Sequence, residues 1–223
     1  MLAKIAPAAF ALSIAGLAAA DTVDMKFVST GEGRNVKITI GGSSQNVFAG
    51  QLVHEFSNGT GAAASLLGQI ITFCTDLHEH VTSTKKTYDL VSVADVPNPT
   101  GMGLDRAGAV DDLYAFAAGS QFGGNDDLAA AFQIAVWEIA NDFDASVGRS
   151  SLDVTSGNFK ARKTDGSALS SSIQGLLADL FDSVGDPGDL GVRTTSVWAL
   201  RNDGAQDQLV EMIVIPTPMA GGL

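Results

Sequence analysis

Three features of the chain point to an α+β fold. Alternating and β-branched runs occupy residues 21–96, three stretches of helical apolar spacing lie within 104–185, and strand character returns over 192–214. Because the helical stretches interrupt the strands, the expected architecture is an antiparallel sheet with an inserted subdomain of about three helices. The sequence has no internal repeat and no linker-like segment, so 21–214 is read as a single domain.

The first strands are expected at Val23 to Val28, Asn35 to Ile40 and Asn46 to Phe56, separated by Gly31-Glu32-Gly33 and Gly41-Gly42-Ser43-Ser44. Leu67 to Val81 and Tyr88 to Val93 continue the sheet around a turn at Thr82 to Lys86. Pro97-Asn98-Pro99-Thr100-Gly101 then ends the strand pattern. A first helix is expected from Asp105 to Ala118, with Val110, Leu113, Tyr114 and Ala117 on one face and Gly119 as a stop. A second runs from Asp127 to Asn141, capped by Asn125 or Asp126. A third spans about Ser167 to Val184, with Ile173, Leu176, Leu177, Leu180 and Phe181 aligned. Thr194 to Leu200 and Gln208 to Ile215 complete the strands.

Residues 1–20 combine Lys4, an apolar stretch from Ile5 to Leu17 and Ala18-Ala19-Ala20, the pattern of a secretory leader. A secreted or cell-surface protein is therefore expected. The chain carries 13 basic and 25 acidic residues, a formal charge of −12, and loss of Lys4 with the leader makes it one unit more negative. Such a balance disfavours nucleic acid as a partner and suits the solvated surface of an exported protein.

An exported protein ordinarily uses cysteines in pairs, yet Cys74 is the only one here. A lone thiol in an oxidising compartment persists when it is buried, bound or chemically consumed. Gln133 is the second anomaly, a carboxamide inside the apolar run Leu128 to Trp137. At about 100° per residue, Ala129, Ala130, Val136, Trp137 and Ala140 fall within about 60° of it, while Asp127 and Glu138 lie well round the helix. A buried carboxamide without partners costs about 1–3 kcal/mol. Hydrogen bonding to neighbouring backbone is one resolution. The other is condensation with a thiol and loss of ammonia, giving an internal thioester.

Phe73-Cys74 and Phe132-Gln133-Ile134-Ala135-Val136-Trp137 resemble the two halves of the bacterial Cys-Gln thioester domain. The resemblance covers about Val23 to Val214. It implies a β-sandwich or barrel carrying a helical subdomain, with a thioester between Cys74 and Gln133. Phe73, Phe132 and Trp137 would shield it, and Asp76, His78 and His80 are the residues proposed to move a proton. The function so implied is single-use covalent attachment to amine or hydroxyl nucleophiles on another cell or an extracellular polymer, without turnover. Such a protein is not an enzyme and needs no cofactor.

Trp137-Glu138-Ile139, Leu152 to Phe159 and Gln206-Asp207-Gln208-Leu209-Val210 also resemble exported bacterial proteins of this type. Val214-Ile215-Pro216-Thr217-Pro218 resembles the opening of a PEP-CTERM sorting signal, with Thr217 in place of the usual glutamate. Membrane anchoring through residues 215–223 would need a longer C-terminus.

The alternative function is a non-covalent matrix or binding module in which Cys74 and Gln133 are core residues. A zinc site is a weaker candidate: on an extended strand Cys74 and His78 would stand about 13 Å apart, too far to share one ion, leaving Asp76, His78 and His80 with a distant ligand. No metal is therefore expected. Asp182, Asp186 and Asp189 lack the spacing of an EF-hand and read as a helix end and turn. Asn58-Gly59-Thr60 matches a glycosylation sequon. No phosphate loop, serine elbow or HExxH motif supports hydrolase or kinase chemistry.

Overall fold

A computed structural model describes residues 20–117, 122–185 and 197–212. The leader up to residue 19, the sorting-signal-like tail at 215–223, and Asp186 and Asp189 lie outside the described residues. Among the described residues, seven antiparallel strands and three α-helices give the expected α+β fold.

The strands are β1 (Thr22–Ile40), β2 (Ser43–Ser57), β3 (Gly68–Cys74), β4 (Lys86–Val91), β5 (Phe159–Lys163), β6 (Val197–Arg201) and β7 (Gln208–Glu211). Pairing runs β1-β2-β3-β7-β6-β4 and returns to β1, so the sheet closes on itself, and β5 is added alongside the far half of β1. Closure rests on the length of β1. Its first residues, Thr22–Met25, pair with β4 and its last, Val36–Ile40, with β5, while β2 follows almost its whole length.

The expected break at Gly31-Glu32-Gly33 is instead a bend within one strand. The β1–β2 register shifts between Phe27 and Ser29 and again between Thr30 and Gly33, which adds twist and redirects the strand without ending it. Glycine is required because the chains approach closely here. A Cβ on Gly50 would stand 2.3 Å from the Glu32 carbonyl oxygen, and one on its partner Gly33 would stand 2.4 Å from that of Ala49. At the other end, Gly41 and Gly42 both have positive φ and make the two-residue hairpin turn into β2.

The inside of the ring is one apolar cluster drawn from all six strands: Val23 and Met25, Phe56, Ile70, Tyr88 and Leu90, Leu200, and Val210. A larger cluster joins the outer face to the helices α1 (Gly103–Ala117), α2 (Asp126–Asp142) and α3 (Ser171–Ser183). Asn125 caps α2 by accepting the Leu128 N–H at 3.0 Å, and Ser170 caps α3 through Ile173. Every residue of α2 from Leu128 to Ala140 is buried, since β1, β2, β3, β5, α1 and α3 all pack on it. Glu138, placed by the helical wheel away from the apolar face, is buried too, because the chain from Asp153 to Phe159 covers that side.

Two further expectations need correcting. The strand predicted from Leu67 to Val81 stops at Cys74, where the Asp76 carboxylate accepts the His78 N–H at 2.6 Å and curls the chain into a loop. Cys74, Asp76, His78 and His80 therefore do not share a strand face. Strand β5 lies within the region read as helical, its five residues being too few for a periodicity to register. The Asn58 sequon belongs to a turn, where Asn58 has positive φ and its amide donates to Asp24 at 2.8 Å.

Replacing Gly50 with alanine should destabilise the protein by about 2 kcal/mol or more, through the close approach and the positive φ together. Urea unfolding followed by circular dichroism would measure it.

Candidate functional site

Cys74 is the last residue of β3, paired to Gln208 of β7 on one side. On the other side the β2–β3 ladder ends at Leu52 opposite Thr72, so Cys74 has no strand neighbour there. The carboxamide of Gln133 fills that place. Its Oε1 accepts the Cys74 N–H at 2.9 Å and its Nε2 donates to the Cys74 carbonyl oxygen at 2.7 Å, as a paired strand would do. Both residues are at most 2% exposed. The structure thus brings together the two residues singled out in sequence, 59 positions apart.

The Cys74 thiol donates to the Asp76 carbonyl oxygen, Sγ to O 2.7 Å. Burial pushes its pKa well above the ordinary thiol value, and the charges of Asp76 and Asp207 add to this. The Trp137 indole N–H faces the sulfur and opposes the rise, yet it meets no acceptor at hydrogen-bond geometry.

A cavity of about 270 Å³ leads to the pair. Phe27, Phe48, Leu52 and Trp137 form its apolar walls, and the exposed side chains of Gln45, Asn46 and His80 stand at its rim. Among the described residues no lysine or arginine lines it, and Glu79 is the one carboxylate that does, with the Oε2 of that group buried without a partner.

Of the residues linked with shielding, Trp137 lines the cavity, whereas Phe73 and Phe132 do not. They meet each other at 4.6 Å between ring centroids, within a cluster that includes Tyr114 and Phe122, and so fasten β3 to the helices. Of those linked with proton movement, Asp76 is buried and engaged with His78, His78 is exposed away from the cavity, and His80 lines it. Among the described residues no group of three His, Cys, Asp or Glu side chains is placed to hold a metal ion.

Gln206, Asp207 and Gln208 carry roles that the sequence did not assign. Gln206 Nε2 donates to the carbonyl oxygens of Asp76 and Glu79 at 2.9 and 3.0 Å, holding the loop that receives the thiol. Gln208 Nε2 donates to Gln206 Oε1 at 3.2 Å, and Thr72 Oγ1 donates to Gln208 Oε1 at 3.0 Å. His54 Nδ1 lies 2.9 Å from that hydroxyl, so donation by Thr72 to Gln208 assigns the proton to Nδ1. Burial holds the His54 pKa down at about 4, leaving it neutral at neutral pH. A polar chain therefore runs from His54 inside the ring to the loop beside Cys74. The Asp207 carboxyl, raised to about 6 by burial, accepts the N–H groups of Asn98 and Asn202 and ties their turns to β7.

Behind Trp137, Glu138 accepts the Asp153 N–H at 2.7 Å through Oε1, while its Oε2 has no partner. Asp142 accepts the Phe159 N–H at 2.9 Å, and the Phe159 ring packs against Trp137 at 6.3 Å. The phrases at Trp137 and at Leu152 to Phe159 are thus two sides of one support. No protein-family model, curated protein or solved structure matches the chain.

Burial raises the Glu138 pKa from its ordinary 4.5 to about 8, so the folded state favours the neutral acid. The stability it contributes is complete below about pH 4.5 and is lost as pH rises through about 8. Thermal unfolding across this range should show Glu138→Gln losing less stability with rising pH than the unsubstituted protein.

Proposed function

We propose that this is an exported surface or matrix protein whose Cys74 and Gln133 form an internal thioester for covalent attachment to a nucleophile on a target surface. The observation that carries this reading is the double hydrogen bond that seats the Gln133 carboxamide on the residue bearing the thiol, at the end of a cavity. The Cys74 N–H polarises the carboxamide carbonyl and is positioned to hold the same oxygen through a tetrahedral intermediate.

In thioester formation, Cys74 Sγ attacks Gln133 Cδ, the C–N bond breaks, and the nitrogen leaves as ammonia with the thiol proton. In capture, an incoming amine or hydroxyl attacks the same carbon and the C–S bond breaks. Residue 133 is then joined to the target by an amide or ester, and Cys74 returns to the thiol. The protein is consumed by one such event. The aromatic and aliphatic cavity walls limit competing hydrolysis.

A second reading is supported by the same hydrogen bonds. A glutamine whose two polar ends are both satisfied by backbone is a stable way to complete an unpaired strand, and a non-covalent matrix or binding module would need nothing more.

Intact mass distinguishes the two. The thioester reading expects a protein lighter by one ammonia, a deficit abolished by Cys74→Ala and by Gln133→Ala and replaced by an adduct after exposure to methylamine. An unmodified mass in fresh, amine-free protein would leave the binding-module reading.

A further inference from the structure

Trp137 presents a buried polar group with no evident use. The residue is 2% exposed, its Nε1–H finds no acceptor, and it lines the cavity on the side of the Cys74 sulfur. A buried N–H left unpaired costs about 1–3 kcal/mol, so a smaller apolar ring would be the simpler filling for a wall. Gln133 and Trp137 are four residues apart on α2 and therefore lie one turn apart on the same face. One helix thus carries both the acyl carbon and a donor directed at the sulfur.

We propose that Trp137 Nε1–H is the hydrogen-bond donor for the Cys74 sulfur whenever that sulfur carries negative charge, making Trp137 a catalytic residue of the thioester and not only its cover. The chemical role rests on the thioester reading; the donor role does not. In the thiol state the sulfur donates to the Asp76 carbonyl oxygen. As a thiolate it has no proton to donate, and that carbonyl becomes a repulsive neighbour. The other groups near it offer no relief. Asp76 and Asp207 are acidic, Glu79 in the cavity wall is acidic, Gln133 is engaged with the Cys74 main chain, and His80 stands at the rim. Gln206 Nε2 is engaged with the carbonyl oxygens of Asp76 and Glu79, Gln45 Nε2 donates to that of Leu77, and Asn46 is exposed at the rim, which leaves Trp137 Nε1–H as a buried, unpaired donor lining the same cavity as Cys74.

During capture the nucleophile's X–H group attacks Gln133 Cδ, the carbonyl π pair moves onto the acyl oxygen held by the Cys74 N–H, and that pair then re-forms the carbonyl as the C–S bond breaks and releases its pair to sulfur. Trp137 Nε1–H stabilises that charge until the proton from X reaches the sulfur and restores the thiol. Two donors thus divide the thioester, one at the oxygen and one at the sulfur. A neutral donor suits the position, because a cation there would favour the thiolate and leave Cys74 open to oxidation once spent.

The test begins in Gln133→Ala, which cannot form a thioester and leaves the thiol free. The chain has two tryptophans, so a Trp198→Phe background allows residue 137 alone to be replaced by benzothienylalanine, which keeps the ring shape and lacks the N–H. Alkylation of Cys74 by iodoacetamide, followed from pH 7 to 10, should slow about tenfold at each pH, because less thiolate is present. Trp137→Phe is a second variant whose two explanations have opposite signs: loss of the donor slows alkylation, and loss of cover alone speeds it. An unchanged or faster rate in both variants would overturn the proposal. In protein retaining Gln133, the analogue should slow methylamine capture without reducing the fraction that begins as thioester. Slower alkylation in protein that never shows the ammonia deficit would leave the donor role standing and remove the thioester.

Discussion

The exchange of two hydrogen bonds between the Gln133 carboxamide and the Cys74 main chain is the contact around which the molecule is arranged. For a side-chain amide to replace a missing strand, α2 must lie against the end of β3, closely enough that no water competes for Cys74. That requirement accounts for the burial of α2 on all sides. The ring of strands supports one face, α1 and α3 flank it, and the chain from Asp153 to Phe159 closes the remaining side. It also accounts for the bends in β1, which let one strand close the ring and still reach across to β5 and α2.

Around this contact, a connected set of engaged polar groups stands beside a few buried atoms left unpaired. From His54 through Thr72, Gln208 and Gln206, donors and acceptors are matched down to the carbonyl of Asp76. Such a chain fixes the loop geometry because shifting any member leaves a buried group unsatisfied. The unpaired atoms include Trp137 Nε1, Glu79 Oε2 and Glu138 Oε2, all at or behind the cavity. An unpaired buried polar atom counts against stability, so these positions are where the packing is least satisfied.

Several features were legible from residues alone because local physics determines them. Helical spacing of Val110, Leu113 and Tyr114 marked α1, the capping residues Asn125 and Asp126 marked the start of α2, and the apolar flanks of Gln133 marked it as buried. The end of β3 was misjudged because Thr75 to Val81 keeps a strand-like composition, whereas the Asp76 side chain and Gln206 from β7's approach bend it into a loop. Glu138 was misread for a similar reason. A helical wheel reports one apolar face and has no knowledge of how many neighbours the helix will acquire.

The sequence by itself determined the α+β class and its three helices, and it singled out an unusual pair: the one thiol of the chain and one amide in an apolar helix. Composition and periodicity are local quantities, and they suffice for that much. Only the tertiary structure decided that the two meet, that Gln133 completes the unpaired edge of Cys74, that Trp137 shares their cavity while Phe73 and Phe132 brace the helices, and that Gln206 and Gln208 hold the loop. These depend on strand register and on contacts between segments as much as 136 residues apart, for which no local pattern carries a signal.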